Sequence, residues 1–401
     1  MPKSADDEPA RPARPARLAP LASLVTVARD WGRVGCLGFG GPPSHIVMLR
    51  ELCVTRRQWL SAPDFEDAVV ACNLLPGPAS TQLAIYCASR VRGRLGALVG
   101  GLAFIVPGLV IVLALSSLFL ETAPPTWIAG AGVGAGAAVA AVAVHAAVSL
   151  IPASWRRSTH ASHVGWLIYA MAGAVAGAAF GTSVVFVLIV CGLVEVVRKT
   201  AARPSNRGLI AAMPVTTTGV VATGGLVAVA WTAFKVGALA YGGGFVIIPL
   251  MRSDAVDHYH WMTATQFLNA VALGQVTPGP ITQTVAAVGY AAAGIGGGLL
   301  AAWVAFTPSF AFILLGGARF DRLRANTTAQ TFLQGAGPAA IGAILGAAVP
   351  LARALSEPWQ FAVLLGAFVS LLALRRGVVT TLVAAAVVGA LIASAGGALP
   401  S

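Results

Sequence analysis

Long apolar runs alternate with short polar segments along most of the chain. Five runs are long enough for an α-helix to cross a bilayer, which takes about 20 apolar residues. They lie at 95–120, 127–151, 217–234, 294–317 and 328–351. Shorter apolar segments at 164–180, 182–197, 359–374 and 377–397 fit tight helix pairs or hairpins that dip into the membrane. The pattern predicts an all-α polytopic membrane protein with about 10–12 transmembrane segments.

Two Pro-Gly-Pro triplets interrupt this pattern inside apolar stretches, at 76–78 and 278–280. Proline lacks a backbone N–H and clashes with the preceding helical turn, while glycine adds backbone freedom. The first triplet therefore predicts two half-helices, at roughly 64–75 and 79–89. Broken helices at matching positions in two halves of a chain point to the substrate site of a secondary transporter.

An internal repeat accounts for the two triplets. Matching residues keep one offset of 202 positions: Trp59 with Trp261, Phe65 with Phe267, and 76–78 with 278–280. Chance composition is a poor explanation for tryptophan, phenylalanine and a proline triplet that share one offset, so the pattern indicates a duplication. The predicted organisation is a disordered basic tail (1–20), a first transporter repeat (21–200), a linker (201–214) and a second repeat (215–399).

Loop charges predict that the two repeats have opposite orientations in the membrane. The loop after the first triplet, 90–94, carries three arginines, whereas the matching loop 290–298 has no charge. One helix later the pattern reverses, because 121–126 has no basic residue and 319–324 has three arginines. Since Lys and Arg mark the cytoplasmic side, equivalent loops are expected on opposite faces, which is an inverted-repeat architecture.

Composition and charge narrow the classes of function that the chain can have. The chain is 57% hydrophobic and 10% charged, against about 25% charged residues in an average soluble domain. Its net charge of +12 sits largely in short loops, as the positive-inside rule expects, so no nucleic-acid partner is expected. The location predicted is the plasma (inner) membrane, in multi-pass form and with a cytoplasmic N-terminal tail. No metal-ligand spacing, ATP-binding motif or hydrolase motif is present, so no metal, cofactor or enzymatic activity is expected, and transport would draw on an ion gradient.

The broken helices also predict the chemistry of the site. Helix N-termini carry a partial positive charge and expose N–H groups, so a half-helix that begins after a proline triplet suits an oxyanion. Arg33 and Lys235 are repeat-equivalent cations before the glycine-rich breaks, and two cations would suit a divalent anion. A structural kink and snorkelling of the two cations are the alternatives. The residues predicted to bind substrate are Arg33, Gly40, Gly41, Pro76, Gly77, Pro78, Ser80, Gln82, Lys235, Gly242, Gly243, Pro278, Gly279, Pro280, Thr282 and Gln283.

Separate roles are predicted for two further groups of charged or titratable residues. His45, Asp64 and Glu66 are candidates for proton coupling, since histidine titrates near neutral pH and carboxylates can relay protons. The alternatives are a satisfied polar histidine and a solvated helix N-terminus favoured by the helix dipole. Arg90, Arg92 and Arg94 are candidates for an anion-gathering vestibule, with topology determinants as the alternative reading.

Several motifs together resemble the chromate ion transporter family, in its long two-domain form. They are Phe39-Gly40-Gly41-Pro42 with His45, Arg57-Gln58-Trp59-Leu60, Leu75-Pro76-Gly77-Pro78 with Gln82, Arg92-Gly93-Arg94-Leu95-Gly96-Ala97, Phe104-Ile105-Val106-Pro107-Gly108, Ala240-Tyr241-Gly242-Gly243-Gly244 and Thr277-Pro278-Gly279-Pro280. The resemblance spans about 20–400.

The resemblance implies chromate export driven by the membrane potential or a proton gradient, chromate resistance, and competition by sulfate. The expected partners are chromate or a similar divalent oxyanion, membrane lipid and, as an open alternative to a monomer, a second copy of the chain in a homodimer. A carrier of sulfate or another oxyanion, and an uncoupled anion channel, stay open as alternatives. An intramembrane enzyme would need a nucleophile with its base or a metal cluster, and neither is visible in the sequence.

Overall fold

A computed structural model of the protein describes most of the chain. The described residues are 22–74, 77–120, 124–157, 163–179, 184–201, 225–240, 245–316 and 326–400. The predicted tail 1–20, all but the first residue of the predicted linker, and the predicted substrate-binding residues Pro76, Gly242 and Gly243 lie outside them.

Helices account for the secondary structure of the described part. In the first half they are α1 (Leu24–Leu37), α2 (Pro42–Arg50) with a π-helical continuation (Glu51–Arg56), α3 (Ala62–Leu74), α4 (Ala79–Phe119), α5 (Thr126–Ala137), α6 (Val139–Arg157), α7 (His163–Ala179) and α8 (Val184–Ala201). In the second half they are α9 (Leu226–Leu239), α10 (Ile247–Arg252) with a π-helical continuation (Ser253–His258), α11 (Ala264–Val276), a 3₁₀ turn (Ile281–Gln283), α12 (Thr284–Gly316), α13 (Thr327–Arg353), α14 (Pro358–Phe368) with a π-helical continuation (Val369–Ala373), and α15 (Val378–Ser394).

Helix starts follow local capping chemistry. The Ser23 side chain accepts a hydrogen bond from the Thr26 N–H at the start of α1. Thr263 and Gln266 form a reciprocal capping box at the start of α11. Because each satisfies N–H groups that the first turn leaves without an intrahelical partner, these residues fix where the helices begin.

Four helical segments in the described part are long and apolar enough to cross a membrane: Ala79–Phe119, Thr126–Arg156, Ile281–Gly316 and Thr327–Arg353. Many large apolar side chains are exposed on the surface of these and the shorter apolar helices, as lipid-facing positions require. The predicted all-α polytopic membrane fold is confirmed. The predicted span 217–234 is described only from residue 225 onward.

The chain reverses within α4 and again within α12. The backbone leaves helical geometry at Arg92 and Gly93 in α4, and at Ala293 and Gly294 in α12. A Cβ built on Gly289 would lie 2.5 Å from the Gly297 carbonyl oxygen, whereas eight residues of straight helix span about 12 Å. Each long segment is therefore a hairpin of a short and a long helix, and the arginine-rich stretch 90–94 forms the first turn.

Backbone angles recur between the two halves. The φ angle is 64° at Gly93 and 62° at Gly294, and it is 52° at both Gln58 and His260. The N-terminal helices of the two halves also pack alike. Gly35 of α1 approaches the Phe104 carbonyl of α4, and its counterpart Gly237 of α9 approaches the backbone of α12. Element by element, the second half repeats the local structure of the first.

Small residues let helix α7 approach α13 closely. Side chains built on Gly173 and Gly177 of α7 would collide with backbone carbonyls of α13, and the same holds for Gly342 and Gly346 of α13 against α7. Pairs of glycines four residues apart are typical of tightly packed membrane helices, where van der Waals contact replaces hydrophobic driving force.

Candidate functional site

The central glycines of the two Pro-Gly-Pro breaks both have positive φ angles. Gly77 has a φ angle of 116° and Gly279 one of 95°, values that strain residues with a Cβ. Helix α4 begins directly after Pro78, and the 3₁₀ turn that leads into α12 begins directly after Pro280. No side chain caps either start. Both helix N-termini therefore direct uncapped first-turn N–H groups into the region of the breaks.

Each break packs against the opposite half of the chain. The Gly279 N–H donates to the Gly38 carbonyl oxygen at 2.9 Å, and Gln283 Nε2 donates to the Ile105 carbonyl oxygen at 2.7 Å. A Cβ built on Gly77 would lie 3.3 Å from the Gly237 carbonyl oxygen. The glycine-rich break of the first half thus meets the second triplet, and the first triplet meets the second half. The two breaks lie at the contact between the repeats.

Buried polar side chains surround the breaks. Ser80, Gln82, Thr282 and Gln283 are each at most 2% exposed. Several buried polar atoms nearby have no hydrogen-bond partner among the described residues: Thr81 Oγ1, Gln275 Nε2, Thr277 Oγ1 and Ser309 Oγ. Leaving such a group unpaired costs about 1–3 kcal/mol, so a cluster of them marks a place where water or a polar ligand binds.

A cavity of about 840 Å³ opens beside these groups. Gly40, Gly77 and Ala79 contribute from the first half and Gln275 from the second. Its other walls come from α2, α3, α6, α7, α8 and α13, together with Phe245 and Val378. The cavity therefore runs from the broken helices to the C-terminal end of α8.

The structure brings part of the predicted site together. Of the predicted residues that it describes, Gly40 and Gly77 line the cavity. Others are buried in the packing around it, namely Gly41, Pro78, Ser80, Gln82, Pro278, Gly279, Pro280, Thr282 and Gln283. Gln275, just before the second triplet, lines the cavity but was not among the residues predicted from the sequence.

The two predicted cations are not among the lining residues of this cavity. Arg33 is exposed on α1. Lys235 Nζ lies 2.5 Å from Asp254 Oδ2, and the Thr232 hydroxyl donates to the same oxygen at 2.9 Å. Asp254 is 3% exposed, so Lys235 neutralises a buried carboxylate. The role of the two cations in anion binding stays a prediction, and the cavity gives it no geometric support.

His45 is buried against the glycine-rich break. It is 0% exposed, its Nε2 lies 2.9 Å from the Gly38 carbonyl oxygen, and its ring meets the Phe104 ring edge-on with centroids 5.0 Å apart. These contacts anchor the loop that receives the second triplet. Nδ1 is buried without a hydrogen-bond partner among the described residues. The contacts therefore fit the alternative of a satisfied histidine only at Nε2, and proton coupling through His45 stays a prediction.

The other charged candidates lie at solvent-exposed positions. The Ser61 hydroxyl donates to Asp64 Oδ2 at 2.6 Å, at the start of α3, and Glu66 lies 3.8 Å from Arg50 with both side chains exposed. This geometry fits the solvated helix N-terminus. Arg90 and Arg94 are exposed and Arg92 is half-buried at the hairpin turn, and none of the three is a lining residue of the cavity.

Sequence analysis missed a charged cluster in the cavity wall. Glu195 and Arg198 of α8, Tyr169 of α7 and His145 of α6 all line the cavity. The available signal was an acidic residue inside an apolar segment with an arginine three positions later, since ionisable residues within membrane helices are mostly functional.

A bundle of membrane-crossing helices whose broken elements meet beside a cavity with polar and charged groups in its wall defines a polytopic membrane transport protein. Residues 25–196 and 227–391 match the chromate transporter family, and the chain belongs to that family. The two matched segments correspond to the two halves described above. Members of this family are transport proteins rather than enzymes.

Three relatives show how far the likeness extends. A chromate transport protein of Cupriavidus metallidurans is 29% identical over 80% of each chain. A probable chromate transport protein of Synechococcus elongatus is 30% identical over 80% of this chain and 82% of its own. An uncharacterised transporter of Methanocaldococcus jannaschii is 27% identical over 86% of this chain and 88% of its own. No solved structure matches the chain.

Proposed function

We propose that this protein is a secondary transporter that exports chromate through the cavity beside its two broken helices, and so confers chromate resistance. The observation that carries the proposal is the repeated Pro-Gly-Pro break, which places two uncapped helix N-termini and several unpaired buried polar groups beside one cavity. The relatives named for chromate transport support the choice of anion.

Among the unpaired buried groups at the breaks, possible donors outnumber acceptor-only oxygens such as Gln283 Oε1, and this balance favours an anion over a cation. The N–H groups that open a helix and the Gln275 amide group are hydrogen-bond donors, and hydroxyl groups such as those of Thr81 and Thr277 can donate as well. The unpaired Gln275 Nε2 is a donor without a partner among the described residues. A tetrahedral divalent oxyanion can accept several such bonds at once, which offsets the loss of its hydration shell.

The duplicated architecture supplies a route for alternating access. With the repeats at 21–200 and 215–399 in inverted orientation, rocking one half against the other would expose the breaks first to one side and then to the other. The cross-half bonds from Gly279 to Gly38 and from Gln283 to Ile105 lie where such a motion would occur. The recurrence of backbone angles supports the duplication. Loop charges support the inversion and a cytoplasmic N-terminal tail.

The energy source in this proposal is the membrane potential or a proton gradient, since no ATP-binding motif appears in the sequence. A divalent anion leaving a cell with a negative interior moves down the electrical gradient. A carrier of sulfate or another oxyanion is the second candidate function, because the donors described here recognise charge and shape rather than the central atom. A homodimer stays a prediction.

Uptake of labelled chromate into inside-out membrane vesicles tests the proposal. The vesicles are compared with and without an imposed proton gradient or potential, and with sulfate added. Gradient-dependent chromate uptake that sulfate inhibits supports coupled export. Well-expressed vesicles that take up sulfate but no chromate would show the second candidate function. Uptake that never exceeds the level set by the chromate electrochemical gradient, and that a proton gradient does not increase, would show uncoupled flux as expected of a channel.

A further inference from the structure

The wall of the cavity away from the broken helices carries its own charged centre. Among the described residues that line the cavity, Arg198 is the sole arginine or lysine and Glu195 the sole acidic residue. Arg198 Nε donates to Glu195 Oε2 at 2.9 Å and Arg198 Nη2 donates to Oε1 at 2.8 Å. The Tyr169 hydroxyl donates to Oε2 at 3.1 Å. Glu195 thus accepts three hydrogen bonds from its two neighbours.

This arrangement leaves part of the Arg198 guanidinium group available to bind an anion. Arginine has five N–H donors in a rigid plane, and the two bonds to Glu195 use its Nε/Nη2 edge. The Nη1/Nη2 edge matches the spacing of two oxyanion oxygens equally well. The Arg198 side chain is 45% exposed while that of Glu195 is 3% exposed, so the carboxylate lies behind the arginine and holds it toward the cavity.

The net charge of the cluster favours an anion. Lys199 Nζ lies 3.7 Å from Glu195 Oε1, so two cations face one carboxylate. Lys199 also donates to Gln334 of α13, whose side chain lines the cavity. A divalent anion at Arg198 would meet a local charge of about +1 and amide donors, in a partly dehydrated cavity where a charge interaction is stronger than in bulk water.

We propose that Arg198, positioned by Glu195 and Tyr169, forms a second oxyanion subsite with Gln334, at the end of the cavity away from the breaks, while Lys199 adds positive charge from beside the lining residues. The inference rests on oxyanion transport as the proposed function. The basic sequence that follows α8 includes Arg203 and Arg207, which is typical of a cytoplasmic segment. The subsite therefore lies at the cytoplasmic mouth and captures the anion before it reaches the Pro-Gly-Pro breaks.

Transport kinetics of Arg198 variants in inside-out vesicles test the subsite. Arg198→Gln removes a charge-assisted bidentate contact and should raise the KM for labelled chromate at least about tenfold, with the maximal rate within about twofold of wild type. Arg198→Lys keeps the charge and should recover part of the affinity. Tyr169→Phe removes a hydrogen bond that positions Glu195 without changing the net charge of the cluster. It should give a KM between those of wild type and Arg198→Gln, which a purely structural role would not produce at unchanged maximal rate.

Two controls distinguish a loss of anion binding at the subsite from a loss of folding. Arg56→Gln removes an exposed arginine whose Nε lies 3.0 Å from Glu51, outside the cavity lining, and should leave the KM unchanged. If Arg198→Gln alone fails to fold because it strands the buried Glu195 charge, the double variant Arg198→Gln/Glu195→Gln removes both charges and carries the same expectation for KM. A KM within about twofold of wild type in a folded Arg198→Gln or double variant overturns the proposal.

A direct binding measurement tests the subsite independently of chromate transport. Labelled sulfate is bound at equilibrium to the purified full-length protein in lipid nanodiscs, for wild type and for the Arg198 variants. If wild-type vesicles move no chromate, the proposed substrate fails, yet weaker sulfate binding by Arg198→Gln still supports the subsite. Equal sulfate binding by wild type and the folded variant overturns the subsite even where chromate transport is established.

Discussion

Replacing Gly77 by alanine should disrupt the first break through two separate costs. The φ angle of 116° at Gly77 is unfavourable for a residue with a Cβ, at about 1–3 kcal/mol. The added methyl group would also lie 2.6 Å from Gln82 Nε2, 3.3 Å from the Gly237 carbonyl oxygen and 3.4 Å from Ser309 Oγ. Crowding of this kind adds about 1–3 kcal/mol. Because the neighbours belong to both halves, relieving the clash moves the break away from the second repeat.

Substitutions at two other glycines distinguish the cost of backbone strain from the cost of crowding. Gly93 has a φ angle of 64° with no atom within 4 Å of a built Cβ, so Gly93→Ala introduces backbone strain without crowding. Gly296 has neither a positive φ angle nor an atom within 4 Å of a built Cβ. Gly296→Ala in helix α12 should therefore be neutral or stabilising by up to about 1 kcal/mol. The order of stability expected is Gly296→Ala, then Gly93→Ala, then Gly77→Ala.

The assay pairs thermal unfolding in detergent with chromate uptake into inside-out vesicles, normalised to the amount of folded protein. Gly77→Ala should lose transport, whereas Gly93→Ala should retain it despite its lower stability, because its turn is not part of the cavity. Wild-type transport by folded Gly77→Ala would refute a functional role for the break. Equal loss of transport in the two folded variants would show that strain, rather than the position of the break, is responsible.

Two further substitutions probe contacts that hold the site. Lys235→Ala leaves the Asp254 carboxylate, which is 3% exposed, with a buried uncompensated charge, and should lower the melting temperature markedly, with a cost of up to about 3–5 kcal/mol. Adding Asp254→Asn should restore most of that loss; no recovery in the double variant would contradict the pairing. Gln283→Leu removes the 2.7 Å bond to the Ile105 carbonyl oxygen and should cost about 1–3 kcal/mol. Its uptake rate should also fall, and an unchanged rate would exclude this cross-half bond from the transport cycle.

The backbone of the site was predictable because proline and glycine act locally. The triplets at 76–78 and 278–280 predicted where α3 and α11 end and where the next helical segments begin, and the short apolar segments correspond closely to α7, α8, α14 and α15. Chain reversal at 90–94 followed from three arginines between two apolar stretches. Such signals need no knowledge of which helices touch.

The side-chain partners were not predictable in the same way. Glu195 and Tyr169 are 26 positions apart on different helices, and Lys235 meets Asp254 only because α9 packs beside the segment that follows α10. Repeat equivalence suggested that Arg33 and Lys235 act alike. However, the position equivalent to Asp254 in the first half is Leu52, so the first cation lacks the carboxylate that pairs with Lys235. A single sequence carries no direct signal for contacts of this kind.

Anomalous diffraction at the chromium absorption edge, from crystals of the protein grown with chromate, tests the central claim most directly. A chromium peak is expected inside the cavity, where the chromate oxygens would lie within hydrogen-bonding reach of the first turn of α4 beside Gly77 and of the Gln275 amide group. Added sulfate should displace it. An ordered chromium site outside the cavity, for example beside Arg33 with the cavity empty, would contradict binding at the broken helices.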